Sequence, residues 1–203
     1  MTSETVTPEA PASAGVAATS TVTPTPNDRS GGEPGLIRVG RFEFSPHNCF
    51  ACGQLNANGL HLEIHVDEGH AWTDVTLSDH FEGWPGIAHG GIVSTILDEV
   101  MAWSLVIADN IGVTARMDVA FKRPVPIDRP VHAEGWIVEQ RRRRFEVASR
   151  IEDAETGESL AEATAVYLAA SADRGRELGQ RYGLRLIDTP MTWSSASDAG
   201  DAD

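Results

Sequence analysis

Two carboxylates in an otherwise apolar run are the first residues of this chain equipped for chemistry. Asp98 and Glu99 sit in the middle of HGGIVSTILDEVMAWSLVIA, residues 89–108. A charge in such surroundings is costly unless it is paired, hydrogen-bonded or neutralised by a proton. The same run opens on His89-Gly90-Gly91, where glycines leave backbone N–H groups open to close approach by an anion. One stretch thus combines an electropositive start with a carboxylate held among apolar side chains. Those are the makings of an active site.

The elements that position these groups follow from periodicity. The run predicts a single helix over 89–108, apolar on nearly every side and therefore the buried centre of its domain. At 3.6 residues per turn, Gly91, Thr95, Asp98 and Ala102 align as one small-and-polar stripe, while Ile92, Val93, Ile96, Leu97, Val100 and Trp103 fill the remainder. A stripe of small residues admits a neighbouring backbone or a substrate. It equally suits a packing seam in which Asp98 bonds to a backbone group.

Cys49 and Cys52 are the only cysteines, too close together to frame a disulfide scaffold. A structural zinc site usually takes four ligands, and no second Cys-x-x-Cys follows, although His47, His61 and His65 are candidates to complete one. The expectation is that both thiols pack under a loop as small apolar groups. No metal and no cofactor are expected.

The chain has 203 residues, a formal charge of −14 and a pI near 4.8. That length suits one domain with tails. The acidity argues against nucleic acid or an anionic membrane surface as partner. No run approaches the roughly 20 apolar residues of a membrane span, and the N-terminus lacks the pattern of a signal peptide. A cytoplasmic protein is the default expectation. Residues 1–34 are rich in Thr, Pro and Ala and are expected to be disordered. The domain is expected over 35–172. Residues 173–203 are expected to form a short amphipathic helix, over 173–187, and a disordered acidic tail from 189.

Within the domain, 36–45 reads as a short strand or extended lead-in, and 47–60 as a turn-rich loop. Residues 60–64 and 71–77 read as a hairpin through Asp67-Glu68-Gly69. Residues 79–91 form a Gly/Pro loop that feeds the helix. Four strands follow, over 112–127, 131–140, 143–154 and 158–170, in meander-like succession. The last is taken as a strand because alternation after a Thr-Gly turn outweighs its alanines. The fold class is α+β, an antiparallel sheet around one long helix.

The stretches EGWPGIAHGGIVSTILDE and TARMDVAFKRPVPI resemble the hotdog-fold acyl-CoA thioesterases, in the branch with phenylacetate-pathway and mitochondrial acyl-CoA thioesterases. The resemblance covers about residues 44–170. It implies a hotdog fold, an acyl-CoA substrate, and two subunits joined edge to edge as a functional homodimer. It assigns Asp98 as general base or nucleophile and the Gly90 N–H as donor to the thioester oxygen. His89 takes a positioning role beside the thioester, and Thr114 orients the water or the carboxylate. Where other members carry an Asn a few residues before the His, this chain has Glu82 and Gly83, which leaves the second oxyanion or water contact unassigned.

Helix geometry points independently to a shared site. Gly90 and Asp98 are eight residues apart, about 12 Å along the axis, too far for both to touch one thioester. A two-fold related helix running antiparallel supplies the missing half. The oxyanion donor would contribute about 2.7–4 kcal/mol, as in other acyl-transfer enzymes. Apolar surroundings are expected to raise the pKa of Asp98 and make it a better base. Gly91, at the helix start, and the apolar Trp84, Ile87 and Trp103 are the expected substrate contacts. Lys122, Arg123 and the run Arg141–Arg144 are candidates to meet the anionic CoA. In a strand, alternate members of that run would face opposite ways.

Two rival readings remain. Asp79-His80-Phe81, then Pro85-Gly86 and Glu99, faintly resembles the hydroxyacyl-thioester dehydratases, with His80 and Glu99 as an acid–base pair. A protein that binds acyl-CoA without turnover is the other, since fold does not decide function.

Overall fold

The structure is a computed structural model that describes residues 37–40, 42–67 and 69–186. The tails expected over 1–34 and from 189 onward lie outside the described residues. The chain begins with a small hairpin, β1 (Ile37–Val39) and β2 (Phe42–Phe44), turned at Gly40 with φ of 53°. The expected single strand or lead-in is therefore a pair.

After the 47–64 loop come β3 (His65–Asp67) and β4 (His70–Thr76), antiparallel to each other. Residues 60–64, expected as the hairpin's first strand, are coil instead. Leu60, Leu62 and Ile64 are buried, and the N–H groups of Leu60 and Leu62 bond back to Phe50 O and Ala51 O. Their backbone is satisfied by the loop, so the sheet does not recruit it.

A 3-10 turn at Asp79–Phe81 precedes a two-stranded hairpin, β5 (Glu82–Trp84) and β6 (Ile87–Ala88), which delivers the chain to helix α1 (Gly90–Ile107). His89 and Ala108 are its caps, so the expected helix over 89–108 is present. Val93, Ile96, Leu97, Val100, Met101 and Leu105 are each at most 1% exposed, which accounts for most of its apolar surface. The small-residue stripe is what remains open: Thr95, Asp98 and Ala102 are half-buried and Gly91 is exposed. By length and composition alone α1 could cross a membrane. Here it is packed on the sheet.

Four long strands follow: β7 (Gly112–Phe121), β8 (Pro130–Arg141), β9 (Arg144–Asp153) and β10 (Ser159–Ala169). The six-stranded antiparallel sheet has the order β3-β4-β8-β9-β10-β7. Only β8, β9 and β10 form a meander. β7 does not pair with β8 but lies beside β10 at the far edge, and residues 122–129 carry the chain across. That crossing is pinned at Leu160 O, Ala88 N–H and Leu77 O, so it passes beside the start of α1.

Gly135 explains why β8 must sit centrally. A Cβ there would come within 2.6 Å of the Val100 carbonyl carbon, so helix and strand backbones touch. The inward row of β10 is Ala161, Ala163, Ala165, Tyr167 and Ala169, all buried, small enough to let α1 approach, with Tyr167 the one large member. The alternation that made 158–170 a strand is therefore the packing rule of the sheet. Helix α2 (Ala172–Arg181) and β11 (Arg185–Leu186) close the described chain, β11 pairing with β2.

Candidate active site

The start of α1 is built by the β5–β6 hairpin. Pro85-Gly86 makes its turn, with Gly86 at φ of 79° and its N–H bonded to Glu82 Oε1 at 2.6 Å. His89 N–H bonds to Phe81 O at 2.8 Å, and Ala88 N–H to Val125 O at 2.9 Å. Gly83 is required by closeness, since a Cβ there would lie 2.9 Å from His89 Cα. There is no room for a side chain at Gly83 beside the backbone of His89.

His89 Nδ1 accepts the Gly91 N–H at 3.0 Å and caps the helix. That leaves Nε2 as the ring nitrogen available to a ligand. Among the described residues the Gly90 N–H has no acceptor, and Gly90 and Gly91 are exposed. An open donor at a helix N-terminus, reinforced by the helix dipole, is suited to hold a developing oxyanion. A Cβ on Gly90 would lie 3.5 Å from Cζ of Phe121, so that ring stands over the donor. Phe121 is 56% exposed, while exposed Trp84 and half-buried Ile87 face each other on the hairpin that leads into α1.

Asp98 lies two turns further along α1. Its Oδ1 accepts from Thr114 Oγ1 at 2.7 Å and from the Tyr167 hydroxyl at 2.5 Å, while that hydroxyl also reaches Asp98 O at 2.8 Å. Both donors converge on one oxygen. Among the described residues Oδ2 has none and is free to take a proton from water or to attack a carbonyl. Burial, and then the neighbouring Asp98 charge, push the Tyr167 phenol well above its ordinary range, so it stays a neutral donor. The expected partnership of Asp98 with Thr114 is present. Tyr167, 69 positions from Asp98, was not picked out from the sequence; its signal was a lone aromatic in an alanine row.

Glu99 faces a different environment. Its Oε1 accepts from Trp103 Nε1 at 2.9 Å and its Oε2 meets Cys49 Sγ at 3.9 Å. Burial, and then the charge at Cys49, push its pKa up to about 7. His80 is exposed and packs on Phe81, and among the described residues no hydrogen bond or ion pair joins it to Glu99. Trp103 is 8% exposed, engaged with Glu99 and the Phe44 ring, about 20 Å along the helix from Gly90. It belongs to the core cluster and is not brought together with Trp84 and Ile87.

Lys122 and Arg123 flank the crossing near the helix start, but each already has a carboxylate: Lys122 pairs with Glu162, and Arg123 with Glu158 at 2.7 Å. The arginine run is a hairpin end, with Arg141 closing β8 and Arg144 opening β9. Arg142 and Arg143 make the β8–β9 turn, with Arg142 at φ of 53°, because a two-residue connection is the shortest way to reverse the meander. Arg143 spends its guanidinium on Ala169 O, and Arg141 and Arg144 pair with Glu139 and Glu146.

Comparison with known proteins agrees with this architecture. Residues 85–160 match the family model of the thioesterase superfamily. Over 95 residues the chain is 26% identical to acyl-coenzyme A thioesterase THEM4 of Mus musculus, a match spanning 47% of this chain and 41% of the mouse protein. A crystal structure of a thioesterase superfamily protein superposes with a TM-score of 0.57 at 24% identity, covering 60% of each chain. A hypothetical thioesterase of Streptococcus pneumoniae TIGR4, crystallised with coenzyme A, gives 0.51 at 22% identity, over 53% of this chain and 87% of that one. The PaaI protein of the E. coli phenylacetic acid degradation operon gives 0.52 at 18%, over 55% and 81%. These likenesses establish the hotdog fold, one antiparallel sheet around one long helix.

Proposed function

We propose, for a chain whose residues 85–160 match the family model of the thioesterase superfamily and whose fold is the hotdog, that it hydrolyses acyl-CoA thioesters. The observation that carries this reading is Asp98: half-buried on α1, with Thr114 and Tyr167 holding Oδ1 and Oδ2 left free. Two fixed hydrogen bonds orient a carboxylate without consuming its reactive oxygen, which is what a general base or nucleophile needs. The open Gly90 N–H, with Phe121 beside it, supplies the complementary half, a donor for the tetrahedral oxyanion.

Both halves act on one substrate if two chains share it. Gly90 and Asp98 lie on one helix about 12 Å apart, so the donor of one subunit would meet the base of the other. β7 supports such a pairing: it is a ten-residue edge strand, paired on one side only among the described residues, with Val113, Thr114 and Phe121 exposed. An unpaired edge of that length is a template for a second copy. Lys122 and Arg123 would serve the CoA phosphates by exchanging Glu162 and Glu158 for the ligand.

The test is a panel of acyl-CoAs of varied length and aromatic character, read as release of free thiol. Sustained turnover of one class is expected. Tight binding of acyl-CoA without thiol release would replace this reading with a binding protein. Hydration of an enoyl-CoA would replace it with a dehydratase, although the missing His80–Glu99 contact speaks against that pair.

A further inference from the structure

The loop before β3 carries chemistry that the hydrolytic site does not use. Cys49, Cys52 and Glu99 each bring one ligand atom, and the three atoms lie within 4.8 Å of one another. Glu99 comes from α1, 50 positions from Cys49, so tertiary folding assembles the group. Two thiols that merely filled space would not be expected to share their pocket with a carboxylate.

The loop is closed on the backbone of Cys49. Gly53 N–H bonds to Cys49 O at 3.0 Å. A Cβ at Gly53 would lie 2.4 Å from Cys49 N and Cys49 O, so the turn closes only on glycine. The turn is then fixed from outside: Leu60 N–H bonds to Phe50 O at 2.8 Å and Leu62 N–H to Ala51 O at 2.9 Å. Such outer bonds fix the loop that carries both thiols, as they do around metal-bound ligands. Among the described residues no Lys or Arg is bonded to Cys49, Cys52 or Glu99. Three acidic groups are held together without a cation.

We propose that Cys49, Cys52 and Glu99 bind one zinc ion, with the fourth tetrahedral position left to water. Tetrahedral zinc with sulfur at about 2.3 Å and carboxylate oxygen at about 2.1 Å sets the two ligand atoms about 3.6 Å apart. Cys49 Sγ and Glu99 Oε2 are 3.9 Å apart, within a small side-chain adjustment of that spacing. Two thiolates select a borderline or soft metal over calcium or magnesium, which take oxygen ligands. His47 does not complete the set through Nδ1, because that atom accepts the Cys49 N–H at 3.2 Å. Binding displaces the protons that the cluster holds and ties the 47–60 loop to α1 one residue from Asp98. This departs from the simple packing expected from the Cys-x-x-Cys spacing.

The test uses the full chain, reduced with a phosphine, stripped with chelator and desalted, then titrated with zinc and separately with cobalt(II) as a spectroscopic probe. One zinc per chain by elemental analysis is expected, with a thiolate-to-cobalt charge-transfer band and tetrahedral visible bands in the cobalt form. Cys52→Ser should weaken zinc binding by about 100-fold or more, beyond the roughly 10- to 100-fold effect of outer-shell changes. Glu99→Gln, which keeps an acceptor for Trp103, should weaken it by about 10-fold or more by the same comparison. If Cys52→Ser fails to fold, Glu99→Gln and the zinc-dependent thermal shift of the wild type decide the matter. Reduced wild type that retains no zinc overturns the proposal, as does stoichiometric zinc bound equally well by Glu99→Gln with no thiolate band.

Discussion

At Asp98, Thr114 and Tyr167 both donate to the same carboxylate oxygen, and that asymmetry sets what each hydroxyl contributes. A hydrogen bond to a charged group contributes about 1.5–3 kcal/mol. If Tyr167 orients Asp98 for the chemical step, Tyr167→Phe should lower kcat by about 10- to 100-fold with little change in KM. A change in KM with kcat intact would mean that Tyr167 shapes binding instead. The same phenol gives a pH signature. In the unfolded chain it ionises near pH 10, whereas burial and Asp98 raise its folded value. Stability from this group is therefore fully present below about pH 10 and is lost as pH rises through the folded value. Urea unfolding at about pH 8 and about pH 11 should show wild type losing more stability than Tyr167→Phe over that interval. Equal losses would show that the phenol is not held neutral. Tyr167 was hidden in the sequence because nothing local links it to Asp98, whereas Thr114 opens the second of the two stretches that carry the family resemblance.

The central helix and the β8–β9–β10 meander are the elements most legible from the chain, because their burial follows periods of 3.6 and 2. What periodicity could not supply was adjacency. β7 reads like its neighbours yet sits across the sheet, because the choice of strand partner depends on where α1 comes to rest. Likewise the coil at 60–64 alternates like a strand, but its N–H groups are taken by the cysteine loop. Gly135 is the contact point between helix and sheet, and it is sterically full. Gly135→Ala should destabilise the fold by about 1–3 kcal/mol, the usual range for overpacking, measured by chemical denaturation. A change under about 0.5 kcal/mol, the range of surface substitutions, would mean that α1 does not rest on β8 as described.

At the scale of the whole molecule, the open N–H of Gly90 and the free oxygen of Asp98 belong to one helix, and in the proposed dimer they would serve different substrates. A Gly90→Pro chain lacks the donor, and an Asp98→Asn chain lacks the base. Each homodimer should be nearly inactive. Mixed dimers gather both lesions in one site and leave the other intact, so well-folded heterodimers should regain up to about half of wild-type activity by symmetry. No recovery would dissolve the shared site. The claim beneath all of this is that Asp98 drives thioester hydrolysis, and one comparison tests it most directly: steady-state thiol release from the best acyl-CoA by wild type, Asp98→Asn and Glu99→Gln. Asp98→Asn, with its fold intact by circular dichroism, should lose about 10²- to 10⁴-fold in kcat, the usual contribution of a general base, and Glu99→Gln should lose less. An Asp98→Asn enzyme as active as wild type, or an inactive Glu99→Gln beside it, would contradict the account.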